Sequence, residues 1–320
     1  TDSIIAGGGE DTLIISLNEQ GAVPPQRIIS VLNNSRSIES LSVSALVHAT
    51  NDYSSFEKLK EIKLVSGRTK QDTTIEITTG KHQSIILDSI SDGDKRNSLL
   101  EDGGLKIIQP RSATSINIKT NNVGSIDTNA NDSVHLDFAG LGLATLNLEN
   151  SNNSSIVISN TGAMLNKINL TGSGNFELYS PNTNSNLIIN GSSSSADIDL
   201  SLNGQDLQIL LGSGNHDISL TAGNASVITG QGNDVIIVKG GGKHFFETKG
   251  GTDNIQVIAG VTEIKTGRDN DIVQLLSGTN EISTSSGNDN VRISGGINTV
   301  NTGANNDSVS ISGGTNTVTT

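Results

Sequence analysis

The C-terminal third of the chain repeats one short pattern, which reads TGQGNDVIIV at 229–238, TGRDNDIVQL at 266–275, TSSGNDNVRI at 284–293 and TGANNDSVSI at 302–311. Each copy opens with turn-forming residues and ends with alternating apolar and polar residues, which predicts a short half-buried strand. The aspartates of the pattern recur at steps of 19, 18, 18 and 18 and are Asp234, Asp253, Asp271, Asp289 and Asp307. A period kept over this length predicts stacked, repeated coils.

Apolar residues keep the same period in two further columns. The residues two places after the aspartates are Ile236, Ile255, Val273, Val291 and Val309. The other half of each coil supplies Ile228, Phe246, Ile264, Ile282, Val300 and Val318. One coil cannot bury its own apolar face, so neighbouring coils must stack to bury it, at a spacing of roughly 4.8 Å. The pattern therefore predicts an all-β parallel solenoid.

A looser periodicity precedes this region and indicates that the solenoid begins near residue 105. Its apolar column recurs at steps of 22, 22, 20 and 20 and consists of Val134, Ile156, Leu178, Ile198 and Ile218. The composition agrees with a thin, repetitive interior, because the 320 residues include five Phe, two Tyr and no Trp. The chain has no Cys and a net charge of −13, which disfavours disulfides, thiolate sites and a basic nucleic-acid surface.

Polar residues also fall into columns. Asn280, Asn298 and Asn316 recur with the same period, and an asparagine column can form hydrogen bonds along the stacking axis through its amides. Aspartates in a column behave differently, because carboxylates one coil apart repel by about 1 kcal/mol per pair even in water. The aspartate column therefore predicts a bound cation.

The motifs GQGNDVIIV at 230–238 and GSGNHDISL at 212–220 resemble the nonapeptide G-G-x-G-x-D-x-U-x of RTX proteins. AGGGEDTLI at 6–14 places Asp11 in the acidic position, and Asp2 lies nine residues earlier. The resemblance implies a right-handed β-roll that binds Ca²⁺ through aspartate carboxylates and turn carbonyls. By this resemblance, the aspartates expected to bind Ca²⁺ through their carboxylates are Asp2, Asp11, Asp234, Asp253, Asp271, Asp289 and Asp307. The backbone carbonyls expected to bind Ca²⁺ belong to residues near Gly230, Gly232, Gly250, Gly267 and Gly287.

The resemblance and the periodicity together predict four segments. Residues 1–17 are expected to end one RTX roll, and 18–104 to form a small β-rich insert or irregular wide coils. Residues 105–225 are expected to form a solenoid with coils of 20–22 residues, and residues 226–320 are expected to form the roll with coils of 18 residues. His216 and His244 are interpreted as replacements of turn residues, and Phe245 with Phe246 as a local bulge at the 19-residue step.

RTX rolls occur in toxins, proteases, lipases, polysaccharide epimerases, adhesins and surface-layer proteins. The Thr-, Ser- and Asn-rich remainder of this chain is most similar to RTX-type bacterial surface-layer proteins, which are secreted by a type I system. The resemblance thus implies a non-enzymatic, extracellular structural protein of the cell surface that assembles with itself in the presence of Ca²⁺. Cell-surface polysaccharide or lipopolysaccharide is a further implied partner, whereas nucleic acid and membrane insertion are not expected.

Two other functions stay open at this point. An RTX adhesin or ice-binding segment would present a regular outer face, for which the chain offers a threonine ladder of Thr229, Thr248, Thr266, Thr284 and Thr302. A polysaccharide epimerase or lyase fragment would need clustered Tyr, Arg, Lys, His and Asp, which two tyrosines and dispersed basic residues disfavour. The sequence contains no H-E-x-x-H, G-x-S-x-G or Walker motif.

Overall fold

The structure is a computed structural model that describes residues 9–15, 38–44, 50–65, 68–69, 75–92, 104–124, 134–139, 142–159, 165–183 and 186–320. Throughout these residues the chain forms strands and turns without a helix. No helix with the length and hydropathy of a membrane span occurs in the described part of the chain. The chain divides into two compact units, the first being Thr1–Leu165 with Gly174–Glu177 and the second Asn166–Ser173 with Leu178–Thr320.

In the first unit the strands are β1 (Thr12–Ile15), β2 (Ser40–Ser44), β3 (Thr50–Asp52), β4 (Glu61–Val65), β5 (Arg68–Thr69), β6 (Ile75–Thr78), β7 (Ser84–Asp88), β8 (Ser91–Asp92), β9 (Gly104–Ile108), β10 (Ser115–Asn121), β11 (Val134–Ala139), β12 (Thr145–Asn150) and β13 (Ser154–Ser159). They form two parallel sheets, ordered β1-β2-β4-β7-β10-β12 and β3-β6-β9-β11-β13, and a small parallel pair, β5-β8. The described strands within 18–104 belong to these two sheets and to the β5-β8 pair, and the two alternatives for the segment as a whole, an insert or irregular wide coils, stay predictions.

The following strands are β14 (Lys167–Gly172), β15 (Phe176–Thr183), β16 (Leu187–Gly191), β17 (Ile198–Gly204), β18 (Asp206–Leu211), β19 (His216–Leu220), β20 (Asn224–Ile228), β21 (Val235–Val238), β22 (Lys243–Glu247), β23 (Asn254–Val257), β24 (Val261–Lys265), β25 (Ile272–Leu275), β26 (Thr279–Ser283), β27 (Asn290–Ile293), β28 (Ile297–Asn301), β29 (Ser308–Ile311) and β30 (Thr315–Thr319). In the second unit the even-numbered strands from β14 to β30 form one parallel sheet, and the odd-numbered strands from β17 to β29 form the other. The predicted all-β parallel solenoid is therefore confirmed.

The apolar columns form the interior of each unit because side chains alternate between the two faces of a strand. In β23, for example, Ile255 and Val257 are buried while Asn254 points to solvent. The predicted column is confirmed by the pairing of Ile236 with Ile255, and it continues in register through Val273, Val291 and Val309.

Two predicted registers are wrong. Phe246 pairs with Val227 and not with Ile228, so Val227 is the buried member of that column and Ile228 faces outward. Ile198 pairs with His216, and Leu200 with Ile218, so the coil step is already 18 here instead of the predicted 20. Apolar residues at alternate positions of β17 and β19 allowed either alignment there. In β20 and β22 the ambiguity arose because Val227 and Ile228, and likewise Phe245 and Phe246, are adjacent apolar residues.

Coil length varies and covers a wider range than predicted, since the step is 21 residues between Ser40 and Glu61 and 33 between Ile85 and Ile118. The step is 30 residues between Thr120 and Asn150, 22 between Ser155 and Glu177, and 18 between Asp253 and Asp271. The step of 20–22 predicted for 105–225 therefore holds for only part of that segment. The excess residues of the long coils lie between strands, since the paired strands themselves stay in register.

The 19-residue step has a clear cause. Four residues, 239–242, connect β21 to β22, whereas three residues connect β23 to β24 and each later strand pair of this kind. The additional residue lies in this turn, and β22 stays in continuous register with both of its neighbours. The predicted bulge at Phe245 and Phe246 is therefore wrong, because a turn accepts an inserted residue without breaking the ladder.

The register can be tested in strand β24. Ile264 is 0 % exposed in the interior, whereas Val261 in the same strand is 53 % exposed. We expect Ile264→Ala to lower the free energy of unfolding by about 2–5 kcal/mol because it leaves a cavity. Val261→Ala, the matched control, should change it by less than about 0.5 kcal/mol. Urea unfolding of both variants measures this difference, and equal effects would contradict the inward position of Ile264.

Candidate metal-binding column

Each predicted aspartate ends a six-residue turn that begins with threonine, and the five turns are 229–234, 248–253, 266–271, 284–289 and 302–307. The third residues of these turns pair from coil to coil through isolated bridges, as Gln231 does with Gly250. The fourth residues have left-handed φ angles, for example 113° at Gly251 and 77° at Asp269. A Cβ on Gly251 would collide with the carbonyl oxygen of Gly232 in the preceding coil. Glycine here permits both the left-handed angle and close stacking, and Asp269 shows that the angle alone does not require it.

The five predicted glycines occupy different positions in their turns. Gly230 and Gly267 are second residues, Gly250 is a third residue, and Gly232 and Gly287 are fourth residues. Two of their carbonyls already accept backbone hydrogen bonds between coils, that of Gly250 from the Gly232 N–H at 3.0 Å and that of Gly267 from the Ser286 N–H at 3.1 Å. Each of these carbonyls keeps a second lone pair for another donor or a cation.

The aspartates form one column whose side chains lie in the interior. Asp234, Asp253, Asp271 and Asp289 are 0–1 % exposed. In each of them Oδ1 accepts a hydrogen bond from the backbone N–H of the residue in the same turn position of the preceding coil, at 2.9 Å. Asp307 continues this ladder and accepts from the Asp289 N–H at 3.0 Å. The column therefore satisfies backbone donors at a corner where the strand ladder is interrupted.

The second carboxylate oxygen distinguishes the members of the column. Oδ2 of Asp253, Asp271 and Asp289 is buried and accepts no hydrogen bond, because the nearby threonine hydroxyls donate to carbonyls of the next coil instead. In Asp234 the corresponding atom accepts a hydrogen bond of 2.5 Å from the Thr229 hydroxyl. A buried acceptor without a donor costs about 1–3 kcal/mol, and more when it is charged. The three middle aspartates thus carry the atoms that a proton or a cation would neutralise.

Burial changes the acidity of this column. Desolvation raises the pKa of Asp234 to about 6 and the pKa values of Asp253 and Asp271 to about 7. The pKa of Asp289 is raised for the same reason. The backbone N–H donors and the adjacent threonine hydroxyls lower these pKa values, but burial dominates. Without a cation, the folded column therefore favours protonated carboxyl groups.

An asparagine directly before the column residue plays a complementary role that the sequence did not reveal. Asn215 accepts the Asn233 N–H at 2.8 Å, and Asn288 accepts the Asn306 N–H at 2.9 Å. These asparagines accept from the following coil, whereas the aspartates accept from the preceding one. The Asn-Asp pair thus links a coil to both of its neighbours without any metal, except in the coil of Asp253, where Thr252 replaces the asparagine.

His216 occupies the position of the aspartate one coil before Asp234. Its Nδ1 accepts the Ile198 N–H at 3.2 Å, as each aspartate accepts the N–H of the coil before it, and its own N–H donates to Asp234. Burial lowers the pKa of His216, which favours the neutral ring. The interpretation of His216 as a replacement is consistent with this geometry, and the histidine begins the column without adding a carboxylate.

The threonines of the predicted outer ladder lie inside the unit. Thr229, Thr248, Thr266, Thr284 and Thr302 are all 0 % exposed. The Thr248 hydroxyl donates to the Thr266 carbonyl at 3.1 Å, and Thr284 repeats this contact with Thr302. The predicted external position of this ladder is wrong, because a threonine that begins a turn can satisfy its hydroxyl on the next coil. The ladder therefore provides no surface for ice or for a cell.

The asparagine column is confirmed at the opposite corner. The amide of Asn280 donates to Asn298 and that of Asn298 donates to Asn316, both at 2.7 Å. The second amide proton of each goes to a carbonyl three residues earlier. Thr262 and His244 continue the column in the preceding coils. This corner shows that neutral amides can stack in this fold without an ion.

The remaining predicted ligands do not join this column. Asp2 lies outside the described residues. Asp11 belongs to the first unit, where it directly precedes β1 and its backbone N–H donates to the Glu39 carboxylate at 3.0 Å. The carboxylate of Asp11 also has a buried oxygen, Oδ2, without a partner.

The donor set of the column suits a hard cation such as Ca²⁺, which prefers oxygen ligands. Among the described residues no three His, Cys, Asp or Glu side chains are grouped closely enough to hold a metal ion. Any bound Ca²⁺ would therefore combine one or two column carboxylates with backbone carbonyls and water. The unpartnered Oδ2 atoms of Asp253, Asp271 and Asp289 are the best-matched ligands for such an ion.

Comparisons with known proteins identify no relative. No protein-family model, no curated protein and no solved structure matches the chain. The resemblance to RTX repeats consequently rests on the motifs of this sequence.

Proposed function

We propose that this chain is a secreted structural subunit of a bacterial surface layer, whose aspartate column binds Ca²⁺ and thereby folds and stiffens the solenoid outside the cell. The single observation that carries the calcium part is the row of buried carboxylate oxygens without partners in consecutive coils. The surface-layer part rests on the RTX-like motifs and on a repetitive β-solenoid architecture, which is suited to a structural role.

A cation is favoured over protons as the neutralising species at neutral pH. The pKa values of about 6 and about 7 leave the column partly or largely ionised in a medium at or above pH 7. Carboxylates in adjacent coils then repel each other, and burial strengthens this repulsion. A divalent cation between two coils would remove the repulsion and supply the missing partner of Oδ2.

The mechanism we propose is linkage between binding and folding. The unfolded chain separates the aspartates and offers no preformed oxygen shell, so Ca²⁺ binds the folded state more tightly. At the low calcium concentration of a cytosol the folded state would be only marginally stable, which suits secretion of an unfolded chain. At extracellular calcium concentrations bound Ca²⁺ would hold the coils in the folded state, and the rigid units could assemble with one another.

The alternative of an RTX adhesin or ice-binding segment loses the feature that suggested it, since the threonine ladder lies in the interior. An epimerase or lyase fragment gains no support from the column, whose carboxylates point inward. We therefore propose a structural role and no catalysis.

Assembly can be tested directly on the purified chain. We expect 5–10 mM CaCl₂ to convert it into ordered sheets or filaments visible by negative-stain electron microscopy, and excess EGTA to disperse them. MgCl₂ is the matched control, because Mg²⁺ demands a smaller, stricter octahedral shell and should not substitute. A calcium-folded protein that stays monomeric at all concentrations would refute lattice assembly and leave calcium-dependent folding intact.

A further inference from the structure

A shallow recess opens on the outer face of the even-numbered sheet in the second unit. It has a volume of about 310 Å³ and extends across β18, β20 and β22. The outward side chains that line it come from two rows of residues. One row contains Asp206, Asn224 and Lys243, and the other contains Gln208, Ser226 and Phe245.

The recess has a simple origin in the sequence. The middle strand, β20, carries short outward side chains at Asn224 and Ser226, whereas Gln208 and Phe245 on either side are long. Because strands are about 4.8 Å apart, the two walls stand roughly 10 Å from each other. The floor is the sheet itself, with Ala225 in its centre. The walls are fixed by parallel pairing and need no conformational change to form.

The recess coincides with the irregular coil of the roll. The four-residue turn 239–242 directly precedes Lys243 at the rim. In that turn Gly240 and Gly242 pack against carbonyls of the preceding coil, whereas a Cβ on Gly241 would point into open space. The additional residue of the roll therefore lies in a turn beside the recess, although residues 239–242 do not line it.

The side chains that line the recess are of the kinds that can bind a sugar. Asp206 supplies acceptors, Lys243 supplies donors, and Gln208, Asn224 and Ser226 supply both. Asn224 is oriented by two contacts, since its amide donates to Asp206 at 2.7 Å and its carbonyl accepts the Lys243 backbone N–H at 2.9 Å. Phe245 adds an aromatic wall, and Lys265 of the following coil lies over its ring at 5.2 Å from the centroid. A pyranose presents hydroxyl groups at its edge, which can form hydrogen bonds with the polar side chains. It also presents C–H groups on its face, which can pack against Phe245.

We propose that this recess binds one pyranose unit of a polysaccharide, with the sugar ring against Phe245 and its hydroxyls on Asp206, Gln208 and Lys243. Its volume lies near the lower limit of small-ligand sites, roughly 300 Å³, which suits one unit of a longer chain. The open shape lets the polymer continue on both sides. The choice of a bacterial surface polysaccharide rests on the proposed cell-surface role, whereas the recess contains none of the proposed calcium ligands and needs no lattice assembly.

Other ligand classes fit the recess less well. A lipid or other apolar molecule would leave the polar lining without partners, which is costly. A phosphate-rich polymer would meet the Asp206 carboxylate and a chain of net charge −13. A peptide strand adds to the edge of a sheet, whereas this recess lies on a face.

The test uses the full chain in calcium-containing buffer. An array of immobilised bacterial surface oligosaccharides, including lipopolysaccharide core, identifies the saccharide, and isothermal titration calorimetry with the free oligosaccharide gives its affinity. We expect Phe245→Ala to weaken binding at least tenfold by removing the aromatic wall. Ser226→Leu should do the same by filling the recess without removing any of the four residues that contact the sugar. Glu281→Ala lies further along the same outward row and is the matched control, with an expected change of less than twofold.

Two results would overturn the inference. One is the absence of binding to every saccharide on the array by a protein whose circular dichroism shows the folded solenoid. The other is a bound saccharide whose affinity changes less than twofold in both Phe245→Ala and Ser226→Leu. Because Ser226→Leu retains Phe245 and its three polar neighbours, a folding defect in Phe245→Ala cannot account for agreement between the two variants.

Discussion

Replacing Asp253, Asp271 and Asp289 together with asparagine is expected to make folding independent of calcium. Asparagine keeps Oδ1, which accepts the N–H of the preceding coil, and removes the charge that burial disfavours. The column of Asn280, Asn298 and Asn316 shows that this fold accepts stacked asparagines, although each Oδ1 there accepts a side-chain amide and not a backbone N–H. In EGTA at pH 7.5 the triple variant should therefore be more stable than the original chain, by several kcal/mol in the free energy of unfolding.

The same variant should gain little stability when calcium is added, because its column offers no carboxylates to the ion. The original chain should gain several kcal/mol under the same conditions, and urea midpoints with and without 5 mM CaCl₂ measure both effects. Glu281→Gln is the matched control, since it removes a charge from the exposed face and leaves the column intact. Equal calcium responses of the original chain and the triple variant would show that the ion binds elsewhere.

The calcium-free protein is expected to become more stable as the pH falls from 7.5 to about 5.5. The pKa of an aspartate in an unfolded chain is about 3.9, whereas it is about 6 at Asp234 and about 7 at Asp253 and Asp271 in the folded column. Between these values the folded state binds more protons than the unfolded state, so the free energy of unfolding decreases as the pH rises. This stabilisation is complete below pH 4 and is lost once the pH exceeds about 7. One pKa unit corresponds to about 1.4 kcal/mol, so shifts of this size should be measurable by urea unfolding.

Buried histidines oppose this trend and require a control. The pKa values of His135, His216 and His244 are lowered by burial, so their contribution is present above about pH 6.5 and lost as the pH falls. The triple asparagine variant retains these histidines and Asp234, so subtracting its pH dependence leaves the contribution of Asp253, Asp271 and Asp289. The difference between the original chain and the variant in EGTA, at pH 5.5, 6.5 and 7.5, should grow in favour of the original chain as the pH falls. A difference that does not change with pH would contradict the raised pKa values.

The sequence predicted the fold class and the stacking of the tight coils because one column, from Ile236 to Val309, keeps its period without interruption. It misplaced Ile218 because apolar residues at alternate positions of β17 and β19 permit two registers, and it misplaced Ile228 because Val227 beside it is also apolar. Periodicity gives the spacing of residues along a coil, but the exact register depends on where each extra residue is accommodated.

The candidate site was predicted in part. The spacing identified the aspartate column, but it gave no indication that the carboxylates point inward or that they accept the N–H groups of the preceding coil. It also placed Thr229 and Thr248 on the surface, although both are buried. The direction of a turn side chain depends on backbone angles such as those at Gly251 and Asp269, which a repeat motif does not specify.

The most direct test of the account is calcium titration by isothermal calorimetry at pH 6.5 in two buffers of different ionisation enthalpy. The account predicts that Ca²⁺ binds the original chain and releases protons, because Asp253 and Asp271 are largely protonated there when calcium is absent. It also predicts that both the binding and the proton release are lost when Asp253, Asp271 and Asp289 are replaced by asparagine. Calcium binding of unchanged stoichiometry in that variant, or binding without proton release in the original chain, would contradict the account.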